Sequence, residues 1–422
     1  RLTAPVPDEH AAPGTPDDEV LRAPSCLDPL RVLARLLADS RPGAPVPPGL
    51  LGVFGYELVD RWEELGPRRP DPIDEPDYAF VLVGDAVVYD EASGQVTAVV
   101  RGLPWERAQD VDARLGRLEH LGRPDPSRRP GGVPGAAATA IAPSSAARTV
   151  EPAAFEPAFG AAVETLLSHI AAGDVYQAVL SRSVALPSTA PPFAVLRALG
   201  TDAPFRFFVD LADGALIGAS PETCLAVEDG VVELRPLAGT VPRGADADLD
   251  QRLAVQLLLD DKEQAEHAML VDLARNDVAR CSLPGSTELS EAFTLLRMSR
   301  VQHLASCVRG RLRSGLDALH AYRAVANMGT LTGAPKPMAM ALVRGLEPTA
   351  RGFYGGAIAF LAGDGTLTSC IAIRTLRHVR GQDCYHARAG AGVVHDSVPG
   401  NEFLETEHKL AQLRRAVQEA LA

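Results

Sequence analysis

Thr223–Val227 and Val231–Leu234 are two short apolar runs joined across Glu-Asp-Gly at 228–230, a spacing that leaves room for a hairpin turn and nothing longer. Further strand-like runs lie at Tyr176–Leu186, 355–361, 367–375 and 384–389, and on the first of these Gln177, Val179 and Ser181 share one face. Helical spacing is set apart from them. Phe155, Phe159, Val163, Leu167 and Ile170 recur at that period, with Gly173 as a C-terminal stop. Other helices are expected at about 262–275, 317–327, 336–345 and 402–421. Hairpins with separated helices predict an α+β fold of mostly antiparallel sheet rather than a βαβ repeat.

The region before these patterns is less regular. Residues 1–25 are rich in Pro, Asp and Ala and read as a poorly ordered lead-in. Strand-like patches follow at Leu50–Tyr56 and Phe80–Tyr89. Residues 123–149 are a low-complexity bridge of Pro, Gly, Ala and Ser. The chain therefore divides into an N-terminal region (1–122), a linker (123–149) and a more densely patterned region (150–422).

With 41 basic against 54 acidic side chains, the net charge of −13 argues against nonspecific nucleic-acid binding or a basic membrane patch. No apolar stretch reaches the roughly 18 residues a membrane helix needs. There is no signal-peptide core, although the chain opens at Arg1 rather than Met. Six scattered cysteines without a CxxC pair read as reduced thiols of a cytoplasmic protein. Only three of the 41 basic residues are lysines: Lys262, Lys336 and Lys409.

Two segments carry paired acids. In Asp261-Lys-Glu-Gln-Ala-Glu-His, Glu263 and Glu266 project from one helical face; Glu402 and Glu405 repeat that spacing, with Lys409 one turn beyond. Four carboxylates from two helices suit a hard divalent cation such as Mg²⁺. Solvated helix faces carry the same spacing. Gly329-Thr-Leu-Thr-Gly-Ala-Pro-Lys336 lacks the Gly-Lys-Ser/Thr of a phosphate loop, but Pro335 suits a helix start that could bind an anion. Gly390-Ala-Gly392 lacks the third glycine of a dinucleotide fingerprint, and Pro236-Leu-Ala-Gly-Thr240 is a tight turn where backbone amides could approach a carboxylate. Glu222 and His303 are acid–base candidates, although each alone is more readily structural than catalytic. Arg374 ends an apolar strand, where a guanidinium is costly to bury unless it meets an anion.

Taken together, the segments Gly173-Asp-Val-Tyr-Gln-Ala-Val-Leu-Ser-Arg, Ala219-Ser-Pro-Glu, Pro236-Leu-Ala-Gly-Thr, Glu266-His-Ala-Met-Leu-Val-Asp-Leu-Ala-Arg-Asn-Asp, Asn327-Met-Gly-Thr-Leu-Thr-Gly-Ala-Pro-Lys, Tyr354-Gly-Gly-Ala, Cys370-Ile-Ala-Ile-Arg, Ala389-Gly-Ala-Gly-Val-Val and Glu402-x-x-Glu-Thr-x-x-Lys resemble the chorismate-utilising enzymes. The likeness is greatest to the large subunit of anthranilate synthase. Lys336 and Lys409 fall inside these motifs and Lys262 stands just ahead of the Glu266 segment, whereas the N-terminal part matches loosely.

The resemblance implies a two-layer antiparallel β-sandwich with flanking helices and its site between the layers, to which the N-terminal part contributes strands. It implies Mg²⁺-dependent attack of ammonia on C2 of chorismate with loss of the C4 hydroxyl. Glu263, Glu266, Glu402 and Glu405 would form the metal site. Gly239, Thr240, Gly390, Ala391, Gly392 and Lys409 would cradle the ring carboxylate, and Arg374 and Tyr354 would bind the enolpyruvyl group. Glu222 would act as general acid, with His303 and Thr330 lining the ring. Water-using branches carry a lysine base where this chain has Gln177, and C4-aminating ones often carry a lysine where it has Ala238, so ammonia at C2 is expected. The product is either anthranilate, after pyruvate elimination favoured by His303, or 2-amino-2-deoxyisochorismate for a specialised pathway. A separate glutamine amidotransferase subunit is the implied partner, since no glutaminase elbow is present, and a homo-oligomer is compatible with the reading. The tryptophan-sensitive members carry a Leu-Leu-Glu-Ser type segment, absent from Arg1–Leu30, and an Asn-Pro-Ser-Pro-Tyr-Met segment that appears here as Asp202-Ala-Pro-Phe-Arg-Phe. Tight feedback binding of tryptophan is therefore not expected.

Overall fold

The computed structural model describes residues 15–38, 47–89, 95–100, 108–122, 156–200, 203–299 and 301–421. The expected hairpin forms between Thr223–Glu228 and Val231–Leu234, and its two-residue turn puts both Asp229 (φ 49°) and Gly230 (φ 74°) in the left-handed region that matches strand twist. This hairpin lies within a nine-stranded antiparallel sheet. Across it, Leu367–Ile371, Ala357–Ala362, Gly49–Phe54 and Tyr78–Val83 extend one side, while Val301–Arg311 pairs Leu237–Pro242 and Glu288–Arg297 on the other. A second, six-stranded sheet runs from the short Gly333–Ala334 through Gln177–Pro187, Cys384–Val393, Thr375–Val379 and Gly214–Ser220 to Phe205–Leu211. Every paired strand in both sheets is antiparallel, as the hairpin pattern predicts.

The two sheets meet over an apolar layer in which Val53, Ile358 and Cys370 of the larger face Val209, Leu211 and Leu216 of the smaller. Helices cover the outer faces. Asp261–Cys281 and Ala318–Val325 bury Val278 and Tyr322 against the larger sheet, and Pro399–Glu419 buries Leu410, Leu413 and Val417 against the smaller. The Pro157–Ala172 helix stops at Gly173 (φ 84°), whose left-handed conformation frees the chain to enter the Gln177 strand.

The N-terminal reading needs two corrections. Within the expected disordered lead-in, Asp17–Arg22 is helical and Leu21 is fully buried with Leu27 and Leu30, because these leucines supply an apolar face that bulk composition hides. The run Phe80–Tyr89 is two strands: Gly84-Asp85 breaks it, so Ala86–Tyr89 pairs Val96–Val99 in a separate two-stranded sheet. The Gly49–Phe54 strand sits between Tyr78–Val83 and Ala357–Ala362, so residues before and after the linker share one sheet. The linker itself, like Phe155, lies outside the described residues.

Candidate active site

A cleft of about 600 Å³ opens where both sheets and two helices converge. The larger sheet contributes Leu237–Thr240 and His303, the smaller Gln177, Val179, Gly390 and Gly392, and the helices Glu263, Glu266, Glu405 and Lys409. Glu222, Thr330, Tyr354 and Arg374 complete the wall. Of the sixteen site residues expected from sequence, Glu402 and Ala391 do not line it. Glu402 is buried beside Glu405, and Ala391, opposite Leu180, turns its methyl to the other face of its strand.

Backbone approach explains the glycines. A Cβ on Gly239 (φ 59°) would stand 2.9 Å from Glu263 Oε2, and one on Gly392 2.7 Å from Gln177 Nε2. Any other residue would push a candidate chemical group out of place. Gln177 is itself buried, and its Oε1 accepts no hydrogen bond from the described residues.

The acid–base groups differ in environment. Burial pushes the Glu222 carboxyl up to about 7, against the opposing effects of the Thr330 hydroxyl, which donates to Oε1 at 2.9 Å, and of the Lys409 charge. His303 Nδ1 lies 2.9 Å from the Gly239 carbonyl and 3.1 Å from Thr240 Oγ1. Because a carbonyl only accepts, Nδ1 carries the proton in this arrangement, leaving Nε2 with a free lone pair in the neutral ring. Burial, with Arg374 nearby, holds the histidine below its usual range and so favours that neutral form.

The cations are arranged unequally. Lys409 Nζ binds the Gly390 carbonyl at 2.7 Å and Glu405 at 2.6 Å. Arg374 has no hydrogen-bonded or ion-paired side-chain partner among the described residues, and burial depresses its pKa. It also holds φ at 50°, a left-handed conformation that is strained for a side chain of its size and recurs at binding sites. Tyr354, pushed up to about 12 by burial, stays a neutral phenol beside it.

Glu263 and Glu266 come from a helix whose start is fixed by Asp260, which accepts from the amides of Lys262 and Glu263 at 3.0 Å. Burial raises Glu263, Glu266 and Glu402, and the neighbouring carboxylates raise them further, with Glu405 acting on all three. Lys262 stands 3.8 Å from Glu266. As placed, no three Asp, Glu, His or Cys side chains among the described residues are close enough to share one ion. The set is nonetheless oxygen-only and self-repelling, with Glu402 buried, Glu263 and Glu266 half-buried and Glu405 exposed, which is the chemistry a hard dication relieves.

Lys336 departs from expectation. Its ammonium pairs with buried Asp277 at 2.6 Å and with the Val325 carbonyl at 3.2 Å, so it anchors a helix and does not meet an anion in the cleft. Sequence reasoning also missed Arg388, which lines the cleft, and the buried Glu347 and Arg351 behind it. The Glu347–Arg351 separation of four residues was the available signal.

Fold and cleft thus define a sandwich enzyme with a pocket of opposed acids and cations. The chain belongs to the chorismate binding enzyme family, whose model matches residues 14–415. It is 41% identical over 404 residues to anthranilate synthase component 1 of Streptomyces coelicolor, covering 94% of this chain and 78% of that one. It is 39% identical over 402 residues to the protein of that name from Thermus thermophilus, covering 94% and 84%. The crystal structure of anthranilate synthase component I from Streptococcus pneumoniae superposes with a TM-score of 0.77 at 33% identity, covering 92% of this chain and 86% of that one. No helix among the described residues is long and apolar enough to cross a membrane, and none of the six cysteines is in a disulfide.

Proposed function

We propose that this chain converts chorismate and ammonia to anthranilate and pyruvate. The observation that carries the reading is Arg374: a strained, half-buried guanidinium with no hydrogen-bonded or ion-paired side chain among the described residues, set in the same cleft as a carboxyl that burial raises to about 7. A dicarboxylate with a hydroxyl leaving group meets both needs. Arg374 and the Tyr354 phenol bind the enolpyruvyl carboxylate, and Lys409 with the Gly239–Thr240 and Gly390–Gly392 backbone receives the ring carboxylate. Gln177 cannot deprotonate water, but its free Oε1 can accept a hydrogen bond from ammonia and hold it towards C2. As the C2–N bond forms, the ring double bonds shift and the C4–O bond breaks, while Glu222 donates its proton to the departing hydroxyl. Removal of the C2 hydrogen by the free Nε2 of His303 then expels the enolpyruvyl oxygen from C3 and leaves the aromatic amine.

Mg²⁺ held by Glu263, Glu266, Glu402 and Glu405 would supply positive charge at the ring carboxylate, where electron density collects as the hydroxyl leaves. Ammonia would come from a separate glutamine amidotransferase subunit or from free ammonium. The relatives reported above carry the name anthranilate synthase, which supports the complete reaction over arrest at the aminated intermediate.

Mass spectrometry of the products from chorismate, Mg²⁺ and excess ammonium tests the reading. Anthranilate with one equivalent of pyruvate is expected. An aminated product that keeps its enolpyruvyl group would instead assign the specialised role. Tryptophan is not expected to bind tightly, and inhibition at micromolar concentration would refute that.

A further inference from the structure

Behind the cleft lies a buried ionic cluster in which Glu347 meets Arg351 and, at 3.4 Å, Arg388. The side chains of Glu347 and Arg351 are only 3% and 2% exposed. Arg351 Nε and Nη2 bind the two Glu347 oxygens at 2.9 and 2.7 Å. The rest of the fork reaches away from the glutamate. Nη1 donates to the Leu331 carbonyl and Nη2 to the Val179 carbonyl, each at 2.6 Å. Glu347 Oε1 in turn accepts from the Ser181 amide at 2.8 Å.

These contacts fill a specific vacancy. The Gln177–Pro187 strand is paired on its outer side only at Gln177 and Ala178, by the two residues Gly333 and Ala334. Beyond them no strand among the described residues takes the Val179 carbonyl and Ser181 amide, and the ion pair satisfies both. The same guanidinium ties that strand to Leu331, the neighbour of the Thr330 that holds Glu222. Val179 shares a strand face with Gln177, two residues away. One side chain therefore spans the wall that presents the nucleophile-facing amide and the wall that presents the acid. Burying two charges costs several kcal/mol before their attraction is counted, and an apolar pair of similar volume is often as stable, so stability is a weak reason for such a pair.

We propose that Arg351, oriented by Glu347, is a positioning residue of the reaction, fixing the distance between Gln177 and the Thr330–Glu222 pair. The inference rests on the function assigned above. Arg351 does not line the cleft, so it acts on the geometry of reaction more than on substrate affinity.

The test is steady-state kinetics of the full chain with chorismate, Mg²⁺ and ammonium for the wild type, Arg351→Ala, Arg351→Lys and Glu347→Gln, with melting curves for each. In Arg351→Ala, kcat should fall about tenfold to a hundredfold while KM for chorismate stays within about threefold. Added guanidinium should restore part of kcat. Arg351→Lys keeps the charge but cannot reach both carbonyls and the carboxylate, so it should fall as well. A folded variant with kcat within about twofold of wild type, or a loss confined to KM or to melting temperature, overturns the inference. If Arg351→Ala fails to fold, Arg351→Lys and Glu347→Gln decide by the same criteria. Wild-type protein that leaves chorismate unchanged overturns the function and the inference together, whereas an active wild type matched by its variants overturns the inference alone.

Discussion

Thr330 donates its hydroxyl hydrogen to Glu222 Oε1 across 2.9 Å, and this bond opposes the burial that pushes the carboxyl up to about 7. A general acid acts in its protonated form, so kcat should be highest below that value and decline as pH rises through it. The Thr330 bond favours the carboxylate, and Thr330→Val should move the decline to higher pH. Glu222→Gln should lower kcat by roughly 10²–10⁴-fold, the range of general acid–base contributions. A pH–kcat profile of the three proteins checks both statements, and a Thr330→Val profile shifted to lower pH would contradict the assignment.

Half-buried carboxylates that raise one another should be relieved by a dication, so EDTA should abolish turnover and Mg²⁺ restore it. Glu266→Gln should remove Mg²⁺-dependent turnover and leave the circular dichroism spectrum unchanged, because Glu266 is half-buried at the cleft and belongs to no core cluster. Retained activity would refute its place in the metal site.

The antiparallel fold was legible because its signals are local, whereas most of the cleft was legible through the family resemblance of the segments that line it. The Asp-Gly turn, the stop at Gly173 and the paired Glu-x-x-Glu helices each announce themselves within a few residues. What stayed hidden depends on contacts far apart in sequence. Glu57 and Glu75, for example, take the backbone amides of Arg351, Gly352 and Phe353, nearly 300 residues away, and so anchor the loop that carries Tyr354. Lys336 misled for the same reason: its glycine-rich context suggests an anion, while Asp277, 59 residues earlier, meets it in the core. Ala391 shows the limit of a motif, since strand alternation faces Gly390 and Gly392 to the cleft and turns the residue between them away.

Arg374 lines the cleft without a side-chain partner among the described residues, which suits the enolpyruvyl carboxylate of the proposed substrate. A hydrogen bond to a charged group contributes about 1.5–3 kcal/mol, so Arg374→Ala should lower kcat/KM for chorismate by roughly tenfold to 150-fold. Most of that loss should fall in KM, because in the proposed reaction the enolpyruvyl carboxylate would be bound before and during amination alike. Its fork is the reason Arg374→Lys should recover only part of the affinity. Unchanged KM in Arg374→Ala would place the enolpyruvyl group elsewhere.

In the proposed reaction His303 would act in the second chemical step and not in the first. Its Nδ1 proton is directed at the Gly239 carbonyl, which leaves the Nε2 lone pair available as the base that the proposed elimination requires. His303→Asn should therefore deplete chorismate while releasing little pyruvate, and the aminated intermediate should accumulate. Coupled measurement of chorismate loss and pyruvate release, with mass spectrometry of the remaining product, distinguishes this from a general loss of activity. Equal slowing of both steps would show that His303 holds the ring without acting as the base for elimination.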